Sequence, residues 1–168
     1  MIFLINQIIK EIETCLKNEC YIAALTTALT LPDICGKVEY PNDNTTSRYK
    51  KWYSKWIGEY ERCSKNNDNI PYSTADLIYD LRCSLLHEGN PNVDLGRNNL
   101  MSFKLLITGS DMSGTIAIVH KDSNRKPIGG EIQIGIENLC FKLCSMAKEF
   151  YNENKDKFKF NYTIVKDV

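Results

Sequence analysis

The chain contains two histidines, and one follows an arginine by five positions in Asp80-Leu-Arg-Cys-Ser-Leu-Leu-His-Glu-Gly89. Histidine is the side chain that exchanges protons most readily near neutral pH. Arginine is a permanent cation whose planar fork matches phosphate and carboxylate oxygens. Arg82 and His87 are therefore the pair best suited to combine proton transfer with stabilisation of developing negative charge. A purely structural role is the competing expectation. Arg82 then pairs with an acid such as Asp80, and His87 sits at a helix C-terminus, where a cation is favoured.

The other chemistry-bearing residues form weaker patterns. His120 follows a β-type run beside Lys121 and Asp122, at what reads as a solvent-facing strand end. Lys121, Arg125 and Lys126 make a small basic turn that reads as solvated. The seven cysteines are Cys15, Cys20, Cys35, Cys63, Cys83, Cys140 and Cys144. They contain no Cys-x2-Cys pair, and the near-neighbour pairs Cys15/Cys20 and Cys140/Cys144 have no nearby histidine to complete a zinc set, so buried free thiols are expected and no metal or cofactor is implied. Cys83 lacks the third, orienting group that a thiolate nucleophile needs. Walker, Gly-x-Gly-x-x-Gly and Gly-x-Ser-x-Gly motifs are all missing, and no carboxylate pair suggests a glycosidase or a metal-dependent nuclease.

The Arg82-x4-His87 spacing, late in a predicted bundle helix, resembles the Arg-x4-6-His motif of HEPN (higher eukaryotes and prokaryotes nucleotide-binding) domains. The resemblance covers the helical parts, roughly residues 1–90 and 137–155, and carries over residue by residue only to Arg82 and His87. It implies a metal-independent endoribonuclease of the toxin–antitoxin or phage-defence kind. His87 is then the general acid/base and Arg82 the group that stabilises the phosphorane. Tyr79 and Ser84 are candidates for substrate positioning. The resemblance also implies RNA as substrate, a homodimer whose two Arg/His pairs face each other, and an antitoxin or regulatory protein as a further partner. A non-catalytic dimeric interaction module of the same shape is the alternative, because the balanced charge provides little basic surface for RNA.

The elements that must position these residues follow from periodicity. Residues 2–17 place Ile2, Ile5, Ile8, Ile9, Ile12 and Leu16 on one helical stripe. A second helix is expected over about 19–30, closed by Leu31-Pro32 because the residue before proline avoids the helical region. Residues 36–46 then read as a loop. A third helix over 47–62 carries Tyr49, Trp52, Tyr53, Trp56 and Tyr60 on one stripe, with Lys50, Lys51 and Lys55 elsewhere. Such a segment could stack on nucleic acid, but an aromatic stripe at this spacing more often packs a core. Ser73 or Thr74 can cap a fourth helix, which ends at Gly89. Its face of Leu77, Ile78, Leu81 and Leu85 points away from both Arg82 and His87, and a second strip of Tyr79, Cys83 and Leu86 lies between them. That helix is expected to be central in the bundle or to lie between the bundle and a partner.

The remaining residues change character. Residues 103–108 and 115–120 read as a hairpin turning at 109–114, and Ile132, Ile134 and Ile136 alternate as a third strand. A last helix over 137–155 and a half-buried strand through Phe158, Phe160, Tyr162 and Ile164 follow. The expected class is α+β, predominantly α: about five helices in a bundle, with a small antiparallel β-hairpin or sheet appendage. One domain over residues 1–168 is expected, with the bundle in 1–90 and 137–155 and the appendage in 103–136 and 157–165.

Composition agrees with one core. The 168 residues are 43% hydrophobic, and 21 Lys+Arg balance 21 Asp+Glu, which argues against a global attraction to nucleic acid. Met1–Ile5 is apolar but lacks a basic n-region and a small-residue cleavage site, and polar residues interrupt it too early for a membrane span. With an odd cysteine count and no secretion signal, a reducing, cytoplasmic location is expected.

Overall fold

The structure is a computed structural model that describes residues 4–58, 74–89, 100–107, 116–124 and 127–159. It is α+β and predominantly helical, as the periodicity predicts, but its small sheet is mixed rather than antiparallel, because its first strand pairs parallel to its third. The helices are α1 (Leu4–Lys17), α2 (Tyr21–Ala28), α3 (Leu31–Glu39), α4 (Thr45–Tyr53), α5 (Thr74–Glu88) and α6 (Ile136–Glu153). The strands are β1 (Leu100–Leu106), β2 (Ile116–Lys121) and β3 (Pro127–Gly135). No helix among the described residues is long and apolar enough to cross a membrane.

The stripes predict the core well. Ile5, Ile9 and Ile12 of α1 are buried, and so are Leu77, Ile78, Leu81 and Leu85 of α5. The aromatic stripe faces inward. Tyr49, Trp52 and Tyr53 are fully enclosed and Trp56 packs against them at the edge, whereas Tyr60 lies outside the described residues. Trp52 and Trp56 stack at 6.2 Å, and Phe150 of α6 meets both rings edge-on. The three lysines of this segment are each neutralised by an acid: Lys50 by Asp76, Lys51 by Asp43 and Lys55 by Glu39. A stacking platform for nucleic acid is not what this segment forms.

Helix α3 corrects the expectation of a loop over 36–46. Leu31-Pro32 closes α2, but it also opens the next helix, because a first-turn residue needs no backbone N–H and the proline ring already has a helical φ. The true connection is therefore the short run 40–44. There Asn44 caps α4 by accepting a hydrogen bond from the Ser47 amide at 2.8 Å. The expected single helix over 47–62 also differs, since α4 passes into a π-helical turn at Ser54–Gly58.

Helices α3 and α4 approach closely at Gly36, where a Cβ would stand 2.8 Å from the Arg48 carbonyl oxygen. Gly36→Ala is therefore expected to destabilise the fold by about 1–3 kcal/mol through overpacking, despite alanine's better helix propensity. Urea denaturation checks this, and an unchanged midpoint would show that α3 can shift freely.

The sheet order is β1-β3-β2, with β1 parallel and β2 antiparallel to β3. The antiparallel hairpin exists, but β2 and β3 form it rather than the runs over 103–108 and 115–120. The physical reason is anchorage. Strand β3 runs directly into α6, with Ile134 and Ile136 buried in the core, so it is the strand to which both others attach. The turn between β2 and β3 opens with Asn124 donating its amide to the Asp122 side chain at 2.8 Å. The Gly109–Gly114 turn and the expected C-terminal strand from Phe160 onward lie outside the described residues, while Lys155–Lys157 form a 3-10 turn and 158–159 join no strand. Phe158 itself packs on Phe150 and Tyr151.

Candidate functional site

Helix α5 positions the two residues singled out by type. Its apolar face fixes its rotation against the bundle, and it ends at Gly89, whose φ of 64° gives the left-handed stop that glycine adopts without strain. His87 is consequently exposed in the last turn, while Arg82 is turned toward α3 and α4. Five residues of helix separate them by about 7.5 Å along the axis and about 140° around it.

Arg82 does not pair with Asp80. Its Nη2 donates to Asp33 Oδ2 of α3 at 2.7 Å, and its side chain is only 15% exposed. Positions two apart on a helix do not face each other, which removes Asp80 from reach. Arg48 of α4 holds the other oxygen of the same carboxylate, with Nε and Nη2 both 3.2 Å from Asp33 Oδ1. Two guanidinia thus share one carboxylate where α3, α4 and α5 meet, giving a cluster with a net positive charge.

Aromatic rings enclose the Arg82 guanidinium. Its central carbon is 5.9 Å from the ring centres of both Tyr49 and Tyr79, a distance at which cation–π attraction operates. Tyr79 also shares a 2.7 Å hydrogen bond between its hydroxyl and that of Thr46, and Lys50 lies 5.1 Å from its ring centre. The Tyr49 hydroxyl is buried and has no partner among the described residues. Burial pushes its ionisation well above the usual phenol range, against the pull of Arg82. Among the described residues the Arg82 Nε is likewise buried without a partner, and its Nη1 meets only the soft Cys83 sulfur at 3.9 Å.

The structure brings Tyr79 beside Arg82. Ser84 is half-buried on α5, and neither it nor His87 hydrogen-bonds to the Asp33 cluster among the described residues. Asp33 and Arg48 escape a reading of the sequence. The usable signal is general: an arginine on a largely apolar helix needs a carboxylate partner when it is buried.

The cysteines differ in exposure but not in state. The described ones, all except Cys63, are free thiols. Burial pushes the Cys140 and Cys144 thiols up to about 12, and it raises Cys35 still further. Those three thiols are held protonated, which suits core packing rather than nucleophilic attack. Burial also raises the Asp80 carboxyl, with Lys50 opposing the shift. Of the basic turn, Arg125 and Lys126 lie outside the described residues, and His120 pairs with Gly129 in the β2–β3 ladder. A comparison of the chain with protein-family models, curated proteins and solved structures finds no match.

Proposed function

We propose that the chain is a HEPN-like, metal-independent endoribonuclease that works as a homodimer, with Arg82 and His87 as its catalytic residues. The observation that carries this reading is the state of Arg82. Its Nη2 is anchored by Asp33, the rings of Tyr49 and Tyr79 lie 5.9 Å from its central carbon, and its Nη1 has donor capacity that the 3.9 Å sulfur contact scarcely uses. A guanidinium held by a carboxylate through one nitrogen, with donors to spare on another, is preorganised to meet a phosphate oxygen as charge gathers on it.

In the proposed reaction, a ribose 2′-hydroxyl gives its proton to His87 as its oxygen attacks the adjacent phosphorus. Arg82 holds the charge of the five-coordinate phosphorus. The 5′-oxygen then leaves and takes a proton, which His87 of the partner subunit can donate. The products are a 2′,3′-cyclic phosphate and a 5′-hydroxyl. The wide angular separation of Arg82 and His87 on one helix favours such pairing across two copies. A cytoplasmic toxin or phage-defence role, with an antitoxin or regulatory partner, belongs to the same proposal. The test is incubation of the purified protein with single-stranded RNA in excess chelator. Cleavage is expected, and intact RNA would overturn the reading.

A second reading, a non-catalytic dimeric interaction module, is favoured by a different observation. Lys50, Lys51 and Lys55 are each held in an ion pair, so among the described residues these three form no free basic track toward Arg82. The strip of Tyr79, Cys83 and Leu86 remains partly exposed, with Leu86 at 38%. Dimerisation without any RNA binding would support this module.

A further inference from the structure

We propose that Asp33 is the positioning residue for Arg82, with Arg48 as the counter-cation that holds Asp33 in place. The proposal rests on the nuclease reading above. It starts from the close approach at Gly36, which lets α3 lie against the α4 backbone. Asp33, three residues earlier and so on the same side of α3, is thereby carried to Arg48. Both Arg48 donors converge on Oδ1, which fixes the carboxylate plane and leaves Oδ2 for Arg82 at 2.7 Å.

The consequence is orientation. With one Nη2 donor engaged by Asp33 and Nε buried, Nη1, whose contact among the described residues is the weak one with the Cys83 sulfur, is the group best placed to donate to a substrate oxygen. The rings of Tyr49 and Tyr79 flank the group, but ring contacts do not determine which edge points where. A carboxylate bond does. Asp33 also separates two cations that would otherwise repel, and at 16% exposure it does so with little screening by water. Without Asp33, Arg82 keeps its charge and loses its aim.

Asp33→Asn tests this, since it preserves shape and removes charge. A misplacement of about 1 Å can cost about 10²-fold in rate, so kcat for a short RNA should fall by about that factor with KM nearly unchanged. Because Asp33 acts through Arg82, the double variant with Arg82→Ala should be no slower than Arg82→Ala alone. Cleavage by Asp33→Asn at the wild-type rate would overturn the proposal, and so would losses that multiply in the double variant. If Asp33→Asn does not fold, Arg48→Lys carries the same two expectations.

A second readout does not depend on catalysis. In the wild type the buried Arg82 Nε–Hε should give a slowly exchanging NMR signal, identified by its disappearance in Arg82→Lys. That signal should be lost or averaged in Asp33→Asn, and its persistence would overturn the positioning role. If the wild type cleaves no RNA, the nuclease reading fails on that result alone, whereas the NMR signal still decides whether Asp33 orients Arg82.

Discussion

His87→Ala is expected to lower RNA cleavage by about 10²–10⁴-fold, the range typical for removing a general acid or base. Thermal stability should stay within about 1 kcal/mol of the parent. The structure explains why these effects separate. His87 is exposed in the last turn of α5, and it makes no hydrogen bond with another described residue, so its removal leaves no cavity and no orphaned partner. Only its interaction with the helix C-terminus is lost, worth about 0.3–1 kcal/mol when the ring is charged. Cleavage assays and thermal melts on the same preparations check both parts. Undiminished cleavage would remove His87 from the chemistry.

Trp52→Ala is expected to have the largest effect on stability, about 3–5 kcal/mol. Trp52 is fully enclosed, stacks on Trp56 at 6.2 Å and meets Phe150 of α6 edge-on at 6.0 Å. It therefore links α4, which carries Arg48 and Tyr49, to the helix on the other side of the core. Its indole N–H has no partner among the described residues, so truncation sacrifices packing rather than a hydrogen bond. Chemical denaturation measures the loss, and a change below about 1 kcal/mol would mean that this contact does not hold the bundle together. The site should be lost with the fold, because Asp33, Arg48 and Arg82 come from three separate helices.

Those two residues also mark what was legible in the sequence. The helical period placed Trp52 inward and left His87 on the far side of α5 from Leu77, Leu81 and Leu85, because a helix that buries one stripe has its rotation fixed by it. The same logic does not reach α3. A proline that ends one helix can serve equally as the first turn of the next, and nothing local at Leu31-Pro32 distinguishes the two. Strand pairing was hidden for a similar reason. The glycines at 109 and 114 advertise a turn more loudly than Asp122–Asn124, yet partner choice is set by which strand the bundle anchors. The site was half visible. Arg82 stands out by type and spacing, but its carboxylate lies 49 residues earlier on a helix that the sequence did not announce. A tertiary ion pair of that separation leaves no periodic trace.

In the proposed reaction, Arg82 and His87 cleave RNA by attack of its own 2′-hydroxyl. The most direct measurement is the mass of the new 3′ ends formed from a defined RNA in the presence of chelator. Wild-type protein should leave 2′,3′-cyclic phosphates that are missing from an identically purified His87→Ala preparation. New 3′-hydroxyl ends, or the same cyclic products from both preparations, would contradict the claim.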